Sequence, residues 1–391
     1  MLLSAAPLQP ALAAAGQWTQ EGRDAGATSS NPGETVLQAG NLTQLRPLWS
    51  GNLDVWNQAT DIAAANGHAF IGRRVDDPVT TVRMQLLSLD LGSGTLEWQA
   101  DVPDFFWTPV VTRELVIVAG NGLGETGSRV RVAAYDRSSG AKRWEYRTPA
   151  GSHVDGFRAP HLQGGVLYLV SGNGHLHALD AATGALRWTR WTGSTQAHHG
   201  LAVAGSRLFV SDYHGTSAYD TGDGHPLWRY DLQIFFQTQT QRPLVVEGSV
   251  LLFDYAGGLR AINAATGALR WYTATPRGDM ASGSRPLATD GQRVFAANGV
   301  TRSQLSALDL ETGKLLWTVN AGQGARSPVV ANGVLYLPAA TLKAYGTDTG
   351  AALPIARLRP SRNSEVIVVD GKLLTSAGPV MAFGLPPAGE R

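Results

Sequence analysis

Six cationic or imidazole side chains stand at corresponding places along this chain of 391 residues. Arg158, His198, His199, Arg242, Arg285 and Arg326 each fall just upstream of a recurring tight turn, and Trp107 occupies the same place one repeat earlier. Phe105, Phe106, Phe157, Phe235 and Phe236 lie close by in sequence. A guanidinium bonds a carboxylate through two parallel N–H groups and also stacks on aromatic faces. Gathered at one place, such a set suits an anionic, planar ligand, a sugar acid or an acidic peptide. The alternative is a structural ring, in which the cations pair with Asp61, Asp155, Glu365 and backbone carbonyls. Counted from the turns, Arg158 and Arg326 fall one residue out of phase with Arg242 and Arg285, and alternate strand residues face opposite sides. His175 and His177 alternate along a strand and His198 adjoins His199, yet a metal site needs a third converging ligand, for which only His153 and His214 offer themselves. Structural or solvated histidines are the favoured reading, so no metal is expected. The chain has no G-x-S-x-G elbow, P-loop or H-E-x-x-H, and no helix pattern follows Gly120-Asn121-Gly122-Leu123-Gly124. No catalytic residue is nominated.

Residues some forty positions apart meet at one place only if a repeated element brings them there. One block recurs: Asp, then Gly four residues later, then Trp four residues after that. It stands at Asp90/Gly94/Trp98, Asp136/Gly140/Trp144, Asp180/Gly184/Trp188, Asp220/Gly224/Trp228, Asn263/Gly267/Trp271 and Asp309/Gly313/Trp317. A seventh copy is eroded to Gly346, Gly350 and Pro354. An Asp or Asn side chain bonds the backbone two residues on, and Gly accepts the left-handed conformation of a tight turn. A second turn repeats upstream, at Asn66-Gly67, Gly164-Gly165, Ala204-Gly205, Glu247-Gly248, Asp290-Gly291, Asn332-Gly333 and Asp370-Gly371. About forty residues with four short strands make one β-propeller blade. Seven units carry the block, residues 365–385 supply three more strands, and residues 45–53 supply the missing fourth. The expected fold is all-β, an eight-bladed propeller whose last blade is closed by the N-terminal strand. Trp49, Trp98, Trp144, Trp188, Trp228, Trp271 and Trp317 are read as structural, each docking one blade on the next.

Composition narrows the function. With 32 basic and 31 acidic side chains the net charge is +1, so no nucleic-acid partner is expected. Cysteine is absent, which removes disulfides, thiolate chemistry and any lipid anchor attached through cysteine. No apolar run is long enough for a membrane-spanning helix. Residues 2–15 are small and apolar and end in Ala13-Ala14-Ala15, the form of a signal-peptide cleavage site. The chain divides into a signal peptide over 1–15, a lead-in over 16–44, the propeller over 45–386 and a tail over 387–391. Export to the periplasm, envelope or exterior is the expectation.

Blocks such as Ala178-Leu179-Asp180…Thr183-Gly184…Trp188 and Ala307-Leu308-Asp309…Thr312-Gly313…Trp317 resemble the PQQ-repeat, or quinoprotein-like, propellers over residues 45–385. The lead-in Trp18-x3-Gly22-x-Asp24-x3-Thr28-x2-Asn31 is similar to the segment that precedes many of them. The resemblance places the inner strands around a central channel and implies one of two roles. One is a PQQ- and calcium-dependent alcohol dehydrogenase, whose vicinal disulfide this cysteine-free chain cannot build and whose calcium ligands find no better match than Asp76-Asp77. The other is a BamB-like scaffold without catalysis. The length-variable segments, residues 73–85, 121–129 and 298–304, fall on the face opposite the repeated turns, where function is expected. The leading expectation is a non-catalytic binding or scaffold protein with an anion-binding funnel on that face and a protein or small anionic partner. The alternative is a PQQ-dependent oxidoreductase or a PQQ sensor.

Overall fold

The computed structural model describes residues 16–51, 62–75, 83–102, 105–121, 131–148, 160–171, 174–194, 200–212, 214–232, 242–253, 258–276, 287–299, 302–358, 365–376 and 380–387. Of the expected funnel residues, Arg158, His198, His199 and Arg285 lie outside them, as do residues 1–15, where a signal peptide is expected, and residues 388–391. Eight antiparallel sheets follow one another along the chain as the blades of a propeller. Blade one consists of Ala63–Ala65, His68–Val75, Arg83–Asp90 and Leu96–Val102. Blade eight consists of Val366–Val369, Lys372–Thr375 and Val380–Gly384, and Arg46–Gly51 completes it antiparallel to its third strand, with Trp49 opposite Ala382. The ring thus closes with strands from both ends of the propeller, as the sequence predicts. Strands in the body of a blade are buried, Val166–Val170 throughout, whereas the outermost strand Leu186–Trp191 is exposed at every residue but Trp188.

The repeated block acts through local chemistry. Asp90 Oδ1 accepts the amides of Gly92 (3.1 Å) and Ser93 (2.7 Å). Hydroxyl donation from Ser138 holds the Asp136 carboxyl down at about 2, and the Arg187 guanidinium does the same for Asp180. The glycine that follows takes a left-handed φ, 71° at Gly313, and a Cβ there would lie 2.4 Å from the Trp271 ring. Each tryptophan therefore rests on the glycine of the next blade, from Trp49 on Gly94 round to Trp317 on Gly350. Trp271 Nε1 also donates to Leu310 O at 3.1 Å, a bond repeated at five of the other six positions. Gly313→Ala is expected to cost about 1–2 kcal/mol in left-handed strain and a further ~1–3 kcal/mol in displacing Trp271. Urea denaturation checks this; a loss under about 1 kcal/mol would show that the seam tolerates a side chain.

The lead-in is built into the ring. Inner strands of a propeller turn one edge toward the channel, with N–H and C=O groups needing partners. Residues 18–31 run round that channel and meet every blade in chain order. Trp18 and Ala64 exchange two bonds of 2.7 Å, and Val111 donates to Thr19 O. The Gln20 side chain bonds both backbone groups of Leu162. Val203, Val245, Thr289 and Val330 donate to the carbonyls of Ala25, Gly26, Thr28 and Ser29 at 2.7–3.1 Å. Asn31 Nδ2 donates to Val368 O at 2.8 Å. Each of the eight blade residues lies five positions before its own cross-strand partner, from Ala64↔Ala69 to Val368↔Leu373, so the strap sits at one level of the channel.

The eroded seventh block has a physical reason. After the channel the chain crosses between the turns of blades seven and eight, where Glu34 accepts the Gly371 amide and Asn332 Nδ2 donates to Leu37 O. Leu37, Leu42 and Leu45 then bury themselves with Leu342, Leu358 and Phe383, and Ala356 donates to Leu42 O. The outer strand of blade seven is only Ala352–Leu353, followed by Pro354. The returning lead-in fills the seam that a tryptophan fills elsewhere.

Candidate functional site

The strap forms the floor of a cup. Its Trp18, Glu21, Gly22 and Ser29 line a recess of about 50 Å³ together with Ile62, Thr108, Arg242, Ser327, Val329, Glu365 and Ile367 of the inner strands. Thr108, Arg242, Ser327 and Glu365 each stand three residues before a strap-bonded residue, so one register position supplies the polar wall.

Arg242 is the one funnel residue of the sequence reading that lines the described recess. Its Nη1 lies 2.7 Å from Glu21 Oε1. Two glycines hold the side chain in place: a Cβ on Gly22, where φ is 66°, would lie 2.6 Å from Arg242 Nη2, and one on Gly200 would lie 3.1 Å from its Cβ. Beneath this pair lies a buried polar cluster. Asp24 accepts the backbone amide and hydroxyl of Thr28, and Arg23 stands 3.7 Å away. Burial pushes the Asp24 carboxyl up and the Arg23 guanidinium down from their usual ranges. His161, also fully buried, is lowered to about 3 by desolvation and by the charge of Arg242. On the far wall Ser327 Oγ donates to Glu365 at 3.3 Å.

Trp107 and Arg326 are described but do not line the recess. The structure also moves one turn: blade four turns at Gly205-Ser206, since Ala204 pairs with Arg207, and not at Ala204-Gly205. In blade six Thr289 pairs with Val294 across a four-residue turn. Counted from these anchors, His199 and Arg285 fall in the sequence phase of Trp107 and Arg326, and Arg242 stands apart from them. Glu21 and Asp24 were not singled out from sequence as site residues. The lead-in pattern around Gly22 was the signal that pointed to them. His177 lies 3.3 Å from the Tyr146 hydroxyl and has its pKa lowered to about 4 by burial and then by His175, the state of a structural histidine.

A ring of PQQ-type blades around a strapped channel defines a repeat propeller with a shallow polar cup. A family model described as outer membrane protein assembly factor BamB matches residues 35–196, 189–327 and 278–367, and the chain belongs to this PQQ-repeat propeller family. BamB of Yersinia pestis is 28% identical over 224 residues, which cover 51% of this chain and 56% of that protein. The serine/threonine-protein kinase AfsK of Streptomyces griseus is 29% identical over 171 residues, 42% of this chain and 20% of that one. The chain thus spans about a fifth to about half of these relatives. Among solved structures, the quinohemoprotein alcohol dehydrogenase of Comamonas testosteroni superposes with a TM-score of 0.70 at 14% identity, over 97% of this chain and 82% of that one. BamB of Moraxella catarrhalis superposes at 0.53 with 19% identity, over 87% of this chain and all of that one. Both likenesses show the fold.

The described residues of the cup do not by themselves make a PQQ site; Arg158, His198, His199 and Arg285 lie outside them. A planar tricarboxylate needs several cations and a pocket of small-molecule size, roughly 300–1,000 Å³. The recess offers about 50 Å³, two carboxylates, and one guanidinium already paired with Glu21.

Proposed function

We propose that the protein is a non-catalytic binding and scaffold propeller of the cell envelope. It holds a protein partner on the variable-loop face, and its cup binds a small anion at Arg242. The floored cup carries this reading: the strap occupies the channel, and the recess of about 50 Å³ above it has a guanidinium in its wall. The BamB family match supports the scaffold role and the envelope location. No helix among the described residues is long and apolar enough to cross a membrane.

A calorimetric titration with PQQ, with and without calcium, is expected to give no saturable heat, and a dye-reduction assay with alcohols no turnover. Micromolar PQQ binding with dye reduction would overturn the scaffold reading in favour of an oxidoreductase; binding without reduction would make the protein a PQQ sensor. In envelope extracts the chain is expected to retain a stoichiometric partner, lost when residues 122–130 are replaced by a two-residue turn.

A further inference from the structure

We propose that Glu21 is the resident anion of the cup, and that the ligand is a small hydroxycarboxylate whose carboxylate displaces Glu21 from Arg242 while its hydroxyl donates to Glu365. The inference rests on the anion-binding reading of the cup and specifies its occupant and its gate.

Of the two paired side chains, one is fixed and one is free to leave. Arg242 is 5% exposed and lies against Gly22 and Gly200, where an added Cβ would stand 2.6 Å from its Nη2 and 3.1 Å from its Cβ. Glu21 is 29% exposed and is the more exposed member of the pair. When it swings into water, it vacates the volume of one carboxylate beside a guanidinium that stays in place. An incoming carboxylate restores the same charge and the same fork of N–H donors, so charge and volume are conserved in the exchange. Trp18, Ile62, Val329 and Ile367 give the rest of the recess an apolar lining.

The opposite wall sets the second requirement. Glu365 accepts from Ser327, and Thr108 and Ser29 line the same recess. A carboxylate near this wall would repel a ligand that is anionic at both ends. It favours one that is anionic at Arg242 and carries a donor toward Glu365. A hydroxyl is the smallest group that meets both conditions.

Glu21 competes as a tethered group, and short tethers give effective concentrations of about a millimolar or more. The wild-type protein should therefore bind simple carboxylates weakly, and removal of the tethered competitor should tighten binding about tenfold or more. The experiment is a ligand-observed NMR titration with acetate and glycolate at constant ionic strength, on the full chain and its variants, with thermal melts as a folding control. Glu21→Gln is expected to bind both probes at least about tenfold tighter than wild type, with glycolate ahead of acetate. Glu365→Gln in that background should erase the preference for glycolate, and Arg242→Ala should abolish binding. Glu21→Asp, which keeps the charge but shortens the reach, should fall between wild type and Glu21→Gln and serves if the latter fails to fold.

Equal affinities in wild type and both Glu21 variants would overturn the gate while leaving the anion site standing. Absence of binding in every variant would overturn the anion site itself. Equal affinity for acetate and glycolate in Glu21→Gln would overturn the role of Glu365.

Discussion

Replacing Asp24 with alanine is expected to lower the unfolding free energy by about 3–5 kcal/mol, the cost of breaking a buried charge pair from one side. Asp24 is fully buried, accepts both the amide and the hydroxyl of Thr28, and is the counter-charge of the equally buried Arg23. The alanine leaves the Arg23 guanidinium without that carboxylate and strips two bonds from the tight turn of the strap. That turn is already strained: Arg23, Ala27 and Ser29 all hold left-handed φ values, at 78°, 58° and 51°. Such residues persist only where their surroundings over-determine them, and here the surroundings are the eight blades.

The loss should therefore have a place as well as a size. Amide exchange at Val203 and Val245, which donate to Ala25 and Gly26, should accelerate in the variant, whereas the amides inside Val166–Val170 keep their protection. Asp24→Asn retains an acceptor and loses the charge, so it should cost less, about 1.5–3 kcal/mol. An alanine variant within about 1 kcal/mol of wild type, with exchange unchanged at Val203 and Val245, would show that the strap does not latch the ring.

The blades were legible in the sequence because each part of the block acts on its neighbours. Asp90 bonds residues two and three positions on, Gly94 solves a local backbone requirement, and Trp98 needs only the equivalent glycine of the next copy. Closure by residues 46–51 followed from counting strands. The strap was not legible as a strap, because its partners are backbone groups up to 337 residues away and it has no hydrophobic period. Only its spaced Trp18, Gly22, Asp24, Thr28 and Asn31 marked it as a unit. The turn of blade four was misplaced for a conformational reason. Gly205 takes a φ of 57°, close to the 52° and 48° of the first turn residues Asn66 and Asn332. A single glycine fits the first or the second turn position, and the sequence does not distinguish them. That one-residue difference decides which side chains share the phase of Arg242.

The second large effect is a loss of stability in mild acid, about 4 kcal/mol between pH 7.5 and pH 5, set by two buried histidines. Burial and then Arg242 depress His161 to about 3, and burial and then His175 depress His177 to about 4. In the unfolded chain both return to about 6.5. As pH falls below 6.5 the unfolded chain binds two protons that the folded one refuses, so stability present above that pH declines as the solution acidifies. Each site contributes a slope of about 1.4 kcal/mol per pH unit, which ends near pH 4 for His177 and near pH 3 for His161. Asp136 and Asp180, held at about 2, enter only below the ordinary aspartate range and leave pH 5 untouched. Asp24 works in the opposite sense: its raised carboxyl takes up a proton in the folded state first, which offsets part of the fall. The difference between wild type and variant is therefore the cleaner quantity. His161→Leu and His177→Leu should each remove about 2 kcal/mol of the change between pH 7.5 and 5 in urea denaturation, and the double variant about 4 kcal/mol. A single variant whose pH slope matched wild type would mean that the histidine it replaced takes up its proton in the folded ring as readily as in the unfolded chain.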